Sequence, residues 1–241
     1  ADGQWLVGGG YRLTIWDVKK LKPVHRWNAG ALVHAIVIMP DKKTLVTAAR
    51  GEPYASVWDA TTGEELERLF VKTSSETMRT VSSLDISPNG KLLALGGFGQ
   101  AVSLWNTTRW TFVQELPDSP NDQGRDGNKY VCFSPGGKLL FAKGDWEIPG
   151  RFIDVESRRI VRELIEEKDL VYGLAYSPFG EFVGLAGSRG IYLWSSRTGK
   201  LVWSQKGEYW SVAFSSDGKF FAAGNGAGSV TVYKIWQGEK D

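Results

Sequence analysis

The sequence predicts an all-β fold of repeated four-stranded sheets, and three observations carry that prediction. A turn returns along the chain as Ser-Pro-Asn-Gly-Lys at 87–91, Ser-Pro-Gly-Gly-Lys at 134–138, Ser-Pro-Phe-Gly-Glu at 177–181 and Ser-Ser-Asp-Gly-Lys at 215–219, with weaker copies at 39–43 and 1–4. An aromatic residue followed by a small polar one trails most of these turns, at Trp16-Asp17, Trp58-Asp59, Trp105-Asn106 and Trp194-Ser195, with degenerate copies at Ile153-Asp154 and Tyr233-Lys234. These pairs are spaced 42, 47, 48, 41 and 39 residues apart, and helical periodicity is absent between them. A period near 40 residues holding four short apolar runs is one antiparallel sheet, which cannot bury both faces alone. Radial stacking solves this, so the expected architecture is a β-propeller with six visible repeats, near 1–29, 30–70, 76–117, 128–166, 170–206 and 208–236.

The copy at 81–116 shows the elements in order. Val81 to Ile86, Lys91 to Leu95, Ala101 to Trp105 and Thr111 to Leu116 read as strands a, b, c and d, with Asn89-Gly90 a favoured tight turn between the first two. Applied to the first repeat, the same scheme makes residues 4–9 strand b, 12–17 strand c and 23–28 strand d, so the first blade lacks its inner strand. In the last repeat 210–215, 220–225 and 229–234 supply a, b and c, and the outer strand is missing or very short. The expectation is one propeller domain over residues 1–241 cut from a longer chain, in which roughly 15 to 25 upstream residues would supply both strands. Donation of those strands by another chain, or a seventh blade upstream, are the alternatives.

The turn, the aromatic-Asp/Asn pair and the Thr-Gly turns at 62–63 and 198–199 together resemble the WD-repeat β-propeller family over essentially the whole chain. One feature departs from the family pattern. Its Gly-His dipeptide, whose histidine bonds toward the Trp-bearing strand, is absent, since His25 and His34 are the only histidines and neither follows glycine. The blades are therefore expected to rely on apolar packing more than on that network. The resemblance implies a rigid, non-catalytic platform that binds a protein or peptide.

Composition narrows the alternatives. The net charge of +2, from 29 basic and 27 acidic residues, supplies no strong field for nucleic acid. A single cysteine, Cys132, forms no internal disulfide, and with two histidines it builds no repeated zinc motif. No apolar run approaches the ~18 residues of a membrane span. Neither a metal nor a cofactor is expected, nor is a catalytic residue assigned.

Alternation along each blade puts the b–c and d–a loops on one side of the sheets. Aligning the starts of the strands a yields a column of His34, Ser82, Lys129, Tyr172 and Trp210, and in the resembled family this position near the channel mouth often contacts partners. Two long loops, 117–129 and 143–151, meet at the fourth repeat on the same side. Trp146 is their candidate anchor, with Arg125, Asp145, Glu147 and Arg151 as polar partners, a composition typical of interaction hot spots. Arg12, Arg50, Arg79 and Arg189 would suit an acidic or phosphorylated peptide, but Glu52, Glu76, Asp126 and Glu208 are interspersed, which favours a mixed solvated surface. Two further readings stand beside the platform. One is a propeller enzyme or small-ligand binder at the channel mouth; the other is a structural subunit whose open first blade another chain completes.

Overall fold

The computed structural model describes residues 3–71, 80–98, 101–116, 130–144, 149–164 and 169–235. They form six antiparallel sheets, the blades of a β-propeller, with no helix among them. Blade 1 holds β1 (Trp5–Gly8), β2 (Arg12–Asp17) and β3 (Lys22–Asn28). Blade 2 holds β4 (Val33–Ile38), β5 (Thr44–Ala49), β6 (Tyr54–Asp59) and β7 (Glu65–Phe70), and blade 3 β8 (Thr80–Ile86), β9 (Leu92–Phe98), β10 (Ser103–Asn106) and β11 (Thr111–Glu115). Blade 4 holds β12 (Tyr130–Phe133), β13 (Leu139–Lys143), β14 (Arg151–Asp154) and β15 (Arg159–Glu163). Blade 5 holds β16 (Val171–Tyr176), β17 (Phe182–Gly187), β18 (Gly190–Ser195) and β19 (Leu201–Lys206), and blade 6 β20 (Tyr209–Phe214), β21 (Phe220–Asn225) and β22 (Val230–Lys234). Among the described residues, blades 1 and 6 have three strands each and the other four have four.

The first three blades form one compact unit and the last three another. In the first unit, Leu13, Ile15, Leu45 and Trp58 close the space between blades 1 and 2, while Val57, Leu69, Val81, Leu93 and Trp105 close that between blades 2 and 3. In the second unit, Phe141, Phe152, Val183 and Trp194 pack blade 4 on blade 5, and Ala186, Ile191, Phe221 and Ala223 pack blade 5 on blade 6. These come mostly from strands b and c, and each fully buried leucine contributes about 2–3 kcal/mol relative to an exposed one.

The recurring turn has a mechanical reason. Its serine oxygen accepts the first amide of strand b, from Leu92 to Ser87, Leu139 to Ser134, Phe182 to Ser177 and Phe220 to Ser215, at 2.9–3.0 Å. Its glycine takes a left-handed φ and presses on the turn of the preceding blade. A side chain on Gly90 would begin 2.8 Å from Pro40, one on Gly180 3.5 Å from Pro135, and one on Gly218 3.1 Å from Phe179. Proline and glycine of successive copies are thus the two halves of one contact, and in the weak copy Lys42 adopts the same conformation at φ 58°. The aspartate after the aromatic closes the c–d turn instead: Asp59 Oδ1 accepts the amides of Thr61 and Thr62, and Asn106 Oδ1 those of Thr108 and Arg109. These bonds, led by the Thr61 hydroxyl, hold the Asp59 carboxyl below its usual range.

The buried tryptophans are not equivalent. Trp58 Nε1 donates to Thr47 Oγ1 at 2.8 Å, with both side chains buried. In blade 5 the register of Val183 with Trp194 repeats that of Leu45 with Trp58, so Leu185 stands where Thr47 does and Trp194 Nε1 has no partner. Changing either tryptophan to phenylalanine removes similar apolar volume, but only Trp58→Phe strands a buried hydroxyl. Urea unfolding is expected to show Trp58→Phe the more destabilised of the two, by about 1–2 kcal/mol; equal losses would show that the Thr47 bond contributes nothing.

Candidate functional site

Four inner strands carry the same irregularity at the same place. In blade 2, Val33 pairs with Ala49 and Ala35 with Ala48, leaving His34 as an extra residue. Ser82 is extra in blade 3, between Val81 and Ser83. In the second unit, Tyr172 is extra between Val171 and Gly173, and Trp210 between Tyr209 and Ser211. A β-bulge of this kind interrupts the ladder and re-aims one side chain. The flanking residues Val33, Val81 and Val171 stay in the core, so the bulge releases one residue without opening the packing.

In the second unit the released residues make an aromatic surface. Tyr172 and Trp210 stack with centroids 5.3 Å apart and planes 26° from parallel, and Trp210 remains 54% exposed. The indole edge lies against the b–c turn of blade 6, where a side chain on Gly226 would start 2.8 Å from Nε1. Tyr130, at the start of β12, is close enough for its phenol to be pushed upward in pKa, first by burial and then by Tyr172. Behind this surface a buried carboxylate ties three segments together. Asp169, 1% exposed, accepts the hydroxyl of Ser188 at 2.6 Å, the amide of Arg189 at 3.0 Å and the hydroxyl of Tyr192 at 3.0 Å. It fixes the d–a segment before β16 to the b–c turn and strand c of blade 5. An aspartate thus supplies a buried polar clamp beside the apolar packing. In sequence, Glu-Lys-Asp-Leu reads as an ordinary charged loop, and only pairing it with Ser188 and Tyr192 in space marks it.

In the first unit, His34 links two blades. Its ring Nε2 lies 3.1 Å from the carbonyl of Val81, to which the neutral ring donates. Burial is the main cause of its lowered pKa, and Arg50 pushes in the same direction. That ring nitrogen is committed to a main-chain acceptor, which removes it as a base for a nucleophile. The Ser82 oxygen is enclosed without a hydrogen-bond partner.

The remaining candidates divide in two. Lys129, Arg125, Asp145, Trp146 and Glu147 lie outside the described residues. Arg151 is placed by the structure not in a loop but as the first residue of β14, paired with Ala142 and with no exposed surface. This corrects its reading as a partner contact, since an enclosed guanidinium cannot touch a docked molecule. Among the described residues, no cluster of three or more His, Cys, Asp or Glu side chains is arranged to hold a metal ion. An apolar groove of about 510 Å³, lined by Trp203, Val232 and Tyr233, runs between blades 5 and 6, and one of about 100 Å³ lies by Trp5 and Ile38 between blades 1 and 2. Neither includes a bulged residue.

Residues 70–106 and 199–234 match the family model described as WD domain, G-beta repeat. The chain is 25% identical to Protein groucho of Drosophila melanogaster over 97% of its own length and 31% of the relative's. It is 25% identical to WD repeat-containing protein VIP3 of Arabidopsis thaliana, over 69% of this chain and 53% of that one. With Transcription initiation factor TFIID subunit 5 of Caenorhabditis elegans it shares 24% identity over 86% of this chain and 31% of the relative. The chain thus spans about a third to about half of the length of these relatives.

Burial of the His34 ring has a testable pH signature, which its bond to Val81 opposes. The folded chain favours the neutral ring, so the unfolded chain binds the proton more readily. The resulting stability is whole above the ordinary imidazole value of 6.5 and is lost as pH falls through that value toward the lowered one. Urea unfolding of the parent is expected to lose stability between pH 7.5 and 5.5, with a shallower dependence in His34→Gln; identical slopes would contradict the assignment.

Proposed function

We propose that this chain, a member of the WD-repeat β-propeller family, is a scaffold that binds an extended segment of a partner protein at the bulged strand-a residues Tyr172 and Trp210 of its second unit. WD-repeat relatives serve generally as interaction scaffolds, and one relative above is by name a subunit of a larger factor. The single observation that carries the finer reading is the repeated bulge. The extra residue leaves the ladder at the same register in four blades, and in the second unit it brings Tyr172 and the exposed Trp210 together.

The composition of the released set supports protein recognition. Aromatic residues are enriched at interfaces because they bring large contact area at low entropic cost. Trp210 and Tyr172 are stacked before any partner arrives, so little ordering remains to oppose binding. Arg189, on the b–c turn of blade 5, would tune, rather than anchor, such contacts.

Selection of a random peptide display library against the immobilised chain tests the reading. Selected peptides are expected to lose at least about tenfold in affinity on Trp210→Ala or Tyr172→Ala. They are expected to be indifferent to Leu201→Ala on the outer strand of blade 5. Peptides that bind all three variants as they bind the parent would remove the bulge column as the docking site.

A further inference from the structure

We infer that the Trp210–Tyr172 stack is a seat for an arginine side chain of the partner, with Glu208 as its counter-ion; this rests on the platform reading above and specifies its chemistry. Three features converge on a flat cation. The indole of Trp210 is 54% exposed although Tyr172 stacks on it at 26° and 5.3 Å, which leaves aromatic surface free for a ligand. An aromatic face carries negative quadrupole density, tryptophan most strongly, and attracts a cation set over it. A guanidinium is planar and weakly hydrated, so it stacks on such a face where an ammonium only touches it.

The surrounding charge points the same way. Glu208 is exposed, lies two residues before Trp210 on the segment that leads into β20, and makes no ion pair among the described residues. A carboxylate can take two parallel bonds from a guanidinium whose plane rests on a ring. Among the described residues the basic side chains close in sequence belong to blade 5: Lys206 ends β19, and Arg189 sits on the b–c turn, where its carbonyl accepts the Gly207 amide at 3.0 Å and its own amide is held by Asp169; neither is ion-paired to Glu208.

The seat is also fixed in place. Gly226 lets the indole edge approach the b–c turn of blade 6. Gly173 lets β16 come within reach of the main chain at Trp210, since a side chain there would start 2.8 Å from the Trp210 carbonyl oxygen. Asp169 holds the segment that delivers Tyr172. A cation therefore meets a preformed surface, and binding requires no rearrangement of either ring.

The test uses acetyl-Gly-Arg-Gly-amide and its citrulline and lysine counterparts, which separate charge and planarity at nearly constant shape. The indole N–H signal of Trp210 in the isotopically labelled chain, assigned by its disappearance in Trp210→Phe, is followed during titration. The arginine peptide is expected to shift it about fivefold more per unit concentration than the neutral citrulline peptide, with lysine between them, and Glu208→Gln is expected to reduce the arginine response about threefold. Equal responses to arginine and citrulline, or no response to either, would overturn the proposal. The outcomes also separate this inference from the reading it rests on. Library peptides that need Trp210 but contain no basic residue would remove the arginine and leave the platform; peptides indifferent to Trp210 and Tyr172 would remove both.

Discussion

A blade must bury both faces of one sheet, and it has only its neighbours to bury them against. That constraint explains most of the chain. Strands b and c are apolar on both sides, as in Leu93, Ala94 and Leu95 or Leu140, Phe141 and Ala142, all fully buried. Turns must then hold successive sheets at a constant offset, which is the work of the proline of one copy and the glycine of the next. The aspartate after the aromatic closes the c–d turn so that strand d can cover the outer side. A repeat in sequence is thus the trace of a repeated contact between sheets.

The same constraint creates the functional problem. A residue packed in the core is not available to a partner, and Val33, Val81 and Val171 near the starts of three strands a are packed in this way. Adding one residue to the strand lets that residue leave the ladder while Val33, Val81 and Val171 keep their places in the core. His34, Ser82, Tyr172 and Trp210 are that residue in four blades, and what each does differs. His34 turns back to bind a neighbouring carbonyl, whereas Trp210 stays open with Tyr172 beneath it.

Much of the fold was legible in the sequence because it depends on local chemistry repeated many times. The strand order, the turns and the three strands described in each of the first and last blades follow from spacing and from alternation. The column at the strand-a starts was legible too, although its cause was not, since an extra residue in a strand leaves no mark distinct from a shifted register. Two features were hidden for the opposite reason, that they depend on contacts distant in sequence. Asp169 looks like loop charge until Ser188 and Tyr192 close on it, and Arg151 looks like a loop cation until β14 draws it inside. The absence of the Gly-His dipeptide implies blades that rely on apolar packing more than on that network, and beside this packing Thr47 with Trp58 and Asp169 with Tyr192 are buried polar links of a different composition.

The central claim is that the bulge releases one side chain from a strand whose neighbours stay packed, and thiol labelling across one bulge tests it most directly. Val33→Cys, His34→Cys and Ala35→Cys would be made singly, with the buried Cys132 left in place as a slow internal reference. The account predicts that the thiol at position 34 reacts roughly tenfold faster or more than those at 33 and 35. Equal reactivity at all three positions, or faster reaction at 33 and 35 than at 34, would contradict it.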